Sequence, residues 1–271
     1  MSSQLKRDEH QSLISVMTSY MTTCMSGHDP SHNPTHVHRV VKLAHEILAK
    51  ERLRYAGTNA SQPNINHYAH LSKEGEGYTC DYDDTIVTLS AILHDIGDRK
   101  YLHTLASAAG TPIDPTRMVY NVLVAHGADG ALAERVQTIV SNVSYSNEIK
   151  NPDRVRDLIQ TDGYRELAIV QDADRLDALG AVGIGRCFVY LGSQGEKRRP
   201  KIDLNGENGT LAEGIEWPKW EMDESIEHFV EKLERLQGMM KTETGREMAK
   251  ARTQRLVEFR KWWEEETGFV A

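Results

Sequence analysis

The stretch that most constrains this chain is Ile86 to Ile96, an almost wholly apolar run opened by Asp83 and Asp84, two residues that favour a helix start. A helix apolar on every side belongs inside a helical core, not on its surface. Yet this one carries His94 and Asp95 side by side near its end, with Asp98 four residues after His94. Ionisable groups in such a place are costly unless they are paired or bound to a metal. Helical spacing would set Asp98 on the His94 side, and an imidazole beside two carboxylates is half of a divalent-cation site. The competing reading is that the helix simply frays at Gly97 and lets both groups out. On this stretch alone the two readings are even.

Four further segments read as helices. Leu13, Ile14, Met17, Tyr20, Met21 and Cys24 sit at helical spacing over residues 10–25, with the methionines as core filler. After a loop of turn formers, Asn33 can cap and Pro34 can open a helix over 35–54. At 100° per residue, its buried stripe of Val40, Leu43, Ala44 and Ile47 extends back to His36, whereas His38 and His45 lie about 200° and 180° away from His36. His36 is thus aimed at the core, where a lone histidine is more often a hydrogen-bonded core residue than a ligand. Residues 114–126, closed by His126 and Gly127, and 132–143 give two more helices, the second ending in a polar cluster from Ser144 to Asn147.

The segment from Leu167 to Gly180 reads as helical, with an apolar stripe at 169, 170, 173, 176, 180 and 184. Asp174 and Asp177 lie along one flank of that stripe, and Asp172 falls about 200° from Asp174, so Asp172 and Asp174 can hardly serve one ion. Glycines at 180, 183 and 185 permit close packing or a kink. Two amphipathic helices over about 222–266 complete the chain. Between these elements, 55–83 and 192–216 are polar and aperiodic and read as inserted loops, the first with His67 and His70 as surface residues. No strand-like alternation is sustained anywhere, so the expected fold is all-α, a single helical domain with its core over about 10–190.

At 271 residues the chain can bury a sizeable core, and its formal charge of −8 argues against a broad nucleic-acid-binding surface. Its three scattered cysteines fit free thiols in a reducing compartment. There is no apolar signal core and no run of membrane-spanning length. A cytoplasmic protein is expected, with the nucleus as a second location if the short basic run from Lys197 to Lys201 is an import signal and not a solvated loop.

His36, then His94-Asp95, then the aspartate of Ala173-Asp174-Arg-Leu follow the ligand order of the HD superfamily of metal-dependent phosphohydrolases. His36-Val-His-Arg-Val40, His94-Asp-Ile-Gly-Asp-Arg-Lys-Tyr101, Val143-Ser-Tyr-Ser146 and Val170-Gln-Asp-Ala-Asp-Arg-Leu-Asp-Ala178 resemble the small bacterial HD hydrolases that split nucleoside triphosphates into monophosphate and pyrophosphate. His228-Phe-Val-Glu-Lys-Leu233 and the run from Thr242 to Arg252 are similar to it as well. The resemblance implies an HD-domain helical bundle in which His36, His94, Asp95 and Asp174 hold one divalent cation. That ion is expected to be Mn²⁺, with Fe²⁺, Zn²⁺, Co²⁺ or Ni²⁺ as alternatives. Asp98 is the candidate to handle a water proton, with Lys100 beside it, and Lys100, Arg175, Arg186, Ser144 and Ser146 are candidates for substrate contact. Asp177 either supports a ligand or caps a helix. Dinuclear relatives add histidines, for which His103 and His126 are available, with Asn142 where some relatives use histidine. The expected substrate is a nucleotide, with a homodimer as an allowed assembly and neither membrane nor stable nucleic-acid partners. The rival readings are a nucleotide monophosphatase or phosphodiesterase, and a non-catalytic module that binds a nucleotide or a partner.

Overall fold

The computed structural model describes residues 3–61, 82–96, 114, 116–198 and 222–271, and among these the chain is helical with no strand. Eleven segments follow in order: α1 (Ser3–Met25), α2 (Pro34–Ser61), α3 (Asp84–Leu93), α4 (Met118–Ala125), α5 (Gly130–Ser141), α6 (Tyr145–Lys150), α7 (Pro152–Gln160), α8 (Arg165–Asp177), α9 (Gly180–Arg198), α10 (Asp223–His228) and α11 (Glu243–Thr267). A π turn over Phe229–Leu233 and a 3-10 turn over Glu234–Met239 prolong α10. None of the described helices is long and apolar enough to cross a membrane.

α3 explains its own composition. Asp83 accepts hydrogen bonds from the backbone N–H groups of Thr85 (2.7 Å) and Ile86 (3.0 Å), closing the first turn. Every residue from Ile86 to Leu93 is then buried. One side, with Leu89, Ile92 and Leu93, packs into a cluster with α1, α4 and α5. The other, with Ile86, Val87 and Ala91, joins the larger cluster built on α2, α8 and the C-terminal helices. A helix wedged between two apolar clusters has no polar face to offer.

α8 is the second largely enclosed helix, with Leu167, Ile169, Val170, Ala173 and Leu176 wholly buried. The apolar stripe that reaches Ile184 spans two helices. Gly180 takes φ +71° and turns the chain between α8 and α9, a backbone region open to glycine at little cost. The apolar spacing runs across that turn because both helices face the same core, so periodicity alone does not reveal it. α2 likewise runs to Ser61 and α9 to Arg198, into stretches expected to be loops, while 62–81 and 199–221 lie outside the described residues. Tyr82, placed in the first expected insertion, is buried in the core. Pro152 opens α7, a short helix absent from the expected elements. Cys24 and Cys187 are free thiols, and Cys80 lies outside the described residues.

Candidate metal centre

Three helices bring the expected ligands together. His36 stands in the first turn of α2, Asp174 in the last turns of α8, and His94 and Asp95 directly after α3. The helix does end here, as the fraying reading required, but the side chains stay inside: the His94 and His36 side chains are each 1% exposed. His94 Nδ1 lies 2.8 Å from the Ala91 carbonyl, which turns Nε2 inward.

The two Nε2 atoms are 3.2 Å apart. Asp95 Oδ2 is 3.3 Å from that of His36 and 3.4 Å from that of His94. The ligand atoms of these three residues all lie within 4.8 Å of one another. Asp174 Oδ1 flanks them, 3.7 Å from each Nε2. His36 Nδ1 is 2.7 Å from Asp177 Oδ2, and Asp177 is gripped by Arg39 through Nε (2.7 Å) and Nη2 (2.9 Å) and by Arg186 Nη1 at 3.0 Å.

These contacts test whether a cation fits. A carbonyl and a carboxylate can only accept, so each Nδ1 carries the hydrogen and each neutral ring aims a bare Nε2 lone pair at the cluster. With two carboxylate oxygens, that makes four electron-pair donors and no hydrogen between them. Among the described residues, none donates a hydrogen bond to the buried Asp95 Oδ2. Bonds of about 2.1 Å to one ion place neighbouring ligand atoms roughly 3.0 Å apart at right angles and roughly 3.4 Å apart at tetrahedral angles, close to the spacings seen. The residues therefore fit a divalent ion, and a histidine–carboxylate contact behind the ligand is the usual way such a ring is fixed.

Electrostatics point the same way. Burial would lower the pKa of His94, but the charge of Asp95, then that of Asp174, outweighs it and pushes His94 up to about 9, so the site favours positive charge at Nε2, a proton or a cation in its place. Burial would raise Asp177, yet the hydrogen bonds from His36 and Arg39 and the charge of Arg186 hold it well below the carboxylate range. Asp177 thus holds the ring of His36 in place.

The cluster lies in a cleft of about 720 Å³ whose walls include Ser144, Ser146 and Arg186. Ser144 also caps α6, accepting from Asn147 N–H at 3.2 Å. Arg186 does double duty, its Nε donating to the Ser31 carbonyl at 2.8 Å. Arg175 requires correction. It is 3% exposed, ion-pairs with Glu148 and donates from Nη1 to the Met239 carbonyl at 2.9 Å, so it ties α6 to the C-terminal region and does not line the cleft. Successive helix positions rotate by about 100°, which carries Arg175 away from Asp174. Asp98, Lys100 and His103 lie outside the described residues, and α3 stops at Leu93, so helical spacing no longer places Asp98 beside His94. His126 is exposed, its Nδ1 2.8 Å from the Val122 carbonyl, and Asn142 bonds to the Thr138 carbonyl; neither joins the cluster.

Sequence reasoning missed Arg39, His32, Tyr190, Lys150 and Lys232. Arg39 had a signal: it follows His36 by one turn, as Asp177 follows Asp174, so the two pairs meet across α2 and α8. The other four line the cleft but come from a loop and from separate helices, and only the fold unites them. His32 sits against His36 and Tyr190, with ring centroids 6.0 and 5.3 Å apart. Burial pushes it down to about 4, Asp95 and Asp29 pulling it upward and Arg186 and His36 downward.

No protein-family model matches the chain. The uncharacterized protein YpgQ of Bacillus subtilis is 32% identical over 174 residues, 64% of this chain and 68% of YpgQ. Two crystal structures of YpgQ superpose on the whole fold. The selenomethionine form has a TM-score of 0.60 at 24% identity, covering 97% of this chain and 100% of YpgQ. The complex of YpgQ with ADP has a TM-score of 0.56 at 24% identity, covering 95% and 96%. A Bacillus thuringiensis protein described as an HD-superfamily hydrolase has a TM-score of 0.55 at 22% identity, covering 96% of this chain and all of that one (100%). With 32% identity over 68% of YpgQ, the chain belongs to the YpgQ family, and it shares its fold with the protein described as an HD-superfamily hydrolase.

Proposed function

We propose that this protein is a metal-dependent phosphohydrolase acting on nucleotides, and in its most specific form converts a (deoxy)nucleoside triphosphate to monophosphate and pyrophosphate. The observation that carries the reading is the set of four convergent acceptors from His36, His94, Asp95 and Asp174 in one wall of the cleft. A binding module would gain nothing from burying four such groups without hydrogens between them. The complex of YpgQ with ADP supports a nucleotide as ligand.

A divalent ion held by these four residues, Mn²⁺ by preference, would supply Lewis-acid polarisation of a phosphoryl oxygen. The protein's own groups do the rest. Asp177, Arg39 and Arg186 hold His36 in one orientation. Lys150 and Lys232 bring positive charge to the cleft wall that the chain as a whole, at −8, lacks. Together with Arg186 they take the phosphate-facing role first assigned to Arg175, and Ser144 and Ser146 offer hydroxyls. Asp98 and Lys100, outside the described residues, remain the candidates for proton handling and phosphate contact.

The test is to incubate Mn²⁺-loaded protein with nucleoside mono-, di- and triphosphates and identify the released phosphate. Pyrophosphate with a nucleoside monophosphate is expected. Orthophosphate from monophosphates would replace this reading with a monophosphatase, and no release from any substrate would overturn the hydrolase.

A further inference from the structure

The loop between α1 and α2 holds a hydrogen-bonded chain that the metal cluster does not use. Ser31, 1% exposed, sits between Asp29 and His32. Its backbone N–H donates to Asp29 Oδ1 at 3.0 Å, and its hydroxyl also bonds that oxygen. The same hydroxyl lies 2.7 Å from His32 Nδ1. The loop is pinned from two sides, by His32 N–H donating to the Asp29 carbonyl at 3.0 Å and by Arg186 Nε donating to the Ser31 carbonyl at 2.8 Å.

Proton counting fixes the tautomer. A carboxylate only accepts, so the single Ser31 hydroxyl hydrogen goes to Asp29. The Ser31 oxygen must then accept from His32, which puts the ring hydrogen on Nδ1 and leaves Nε2 as the acceptor. An aspartate acting on a histidine in this way is the logic by which hydrolases select a tautomer, here with a serine interposed. The ring packs edge-on against the metal-ligand candidate His36 and against Tyr190, and it lines the same cleft.

We propose that His32 is a catalytic residue of the hydrolysis: its Nε2 accepts a hydrogen bond from the attacking water and aims the water oxygen at phosphorus, with Asp29 and Ser31 as positioning residues. This rests on the phosphohydrolase reading above. The water oxygen bonds to phosphorus, and the bond from phosphorus to the leaving oxygen breaks with its electron pair on the leaving phosphate. One water proton stays on the product oxygen and the other passes to solvent.

The experiment compares Mn²⁺-loaded wild type with His32→Ala, His32→Gln and Ser31→Ala, using the four deoxynucleoside triphosphates as probes. Misplacing a reacting group costs on the order of 100-fold, so His32→Ala should lower kcat by roughly 10- to 100-fold. KM and metal content by elemental analysis should stay near wild type. His32→Gln, whose amide oxygen can still accept, should recover part of the rate and serves if the alanine variant does not fold. Nitrogen-15 NMR should find the hydrogen of His32 on Nδ1 in wild type and shared between both nitrogens in Ser31→Ala. An unchanged kcat in His32→Ala would overturn the proposal, as would a loss of rate that merely follows loss of the ion. A wild type that turns over none of the four would instead bring down the triphosphate reading on which this proposal rests, which the variants do not touch.

Discussion

Asp172 and Asp174 stand two residues apart on α8 and do opposite work. Asp172 is fully buried and surrounded by hydrogens: Lys241 N–H donates at 2.8 Å to Oδ1, and the Thr242 N–H and hydroxyl donate at 2.7 Å each to Oδ2. Burial pushes its carboxyl up from the ordinary value, with those hydrogen bonds pulling it back. It fastens the turn before α11. Asp174, on the opposite face, has a side chain 29% exposed to the cleft and two imidazole Nε2 atoms at 3.7 Å, each without a hydrogen in its neutral form. A carboxylate supplied with N–H and O–H donors is part of the framework, and one set among other acceptors calls for a cation.

The largest effect should come from breaking the second of these environments. His94→Ala removes one of four acceptors and leaves Asp95 and Asp174 with a single opposing ring, that of His36. Losing even a supporting group behind a ligand costs about 10- to 100-fold in affinity, so loss of a ligand should exceed that. Elemental analysis is expected to find the purified variant without its ion, and full occupancy would dissolve the assignment.

The comparison itself is tested by a pair of variants. Asp174→Asn should weaken Mn²⁺ binding severely, because an amide carries no negative charge to the ion. Asp172→Asn should keep the ion and lose about 1–2 kcal/mol of stability, the scale of a buried hydrogen bond made imperfect. Metal titration and chemical denaturation together separate the two. The reverse pattern would mean that the faces of α8 have exchanged roles.

Asp177 sharpens the picture from behind the ligands. Asp177→Asn keeps the shape but removes the charge that Arg39 and Arg186 share, and it weakens the hold on His36. A 10- to 100-fold loss of metal affinity is expected, less than for Asp174→Asn. Equal losses in a metal titration would make Asp177 a ligand in its own right.

The parts legible in the sequence were those that helix geometry settles locally. The inward aim of His36, the outward one of His38, and the separation of Asp172 from Asp174 all follow from 100° per residue. The burial of α3 on both sides follows from one apolar run, whereas its stop at Leu93, before His94, does not. What escaped depends on partners distant in the chain. Arg175 is claimed by Glu148, 27 positions away, and by Met239, 64 positions away, and neither partner is written in its neighbourhood. Lys150, Tyr190 and Lys232 become neighbours across the cleft only when α6, α9 and the turn after α10 pack. The glycines from 180 on allowed a kink, but the apolar rhythm could not show a full break at Gly180, because two helices facing one core preserve it.

The smallest effect expected at the metal is the most direct check on the framework side. A methyl group on Gly245 would stand 2.2 Å from Asp172 Oδ2 and 2.8 Å from Thr242 Oγ1, closer than such atoms can approach. Gly245 lies in the first turn of α11, where its own N–H donates to that Thr242 hydroxyl at 2.9 Å. Gly245→Ala must therefore push α11 away from α8 or turn the Asp172 carboxylate off its donors. Overpacking of this kind costs about 1–3 kcal/mol. One kcal/mol moves the midpoint of a chain this size by about 2–4 °C, so thermal unfolding should shift down by several degrees. Because the strain falls on the Asp172 face, Mn²⁺ affinity should stay within about threefold of wild type, a change worth less than 1 kcal/mol. A stable variant with damaged metal binding would show that α8 transmits displacement from one face to the other, and that the two aspartates are not independent.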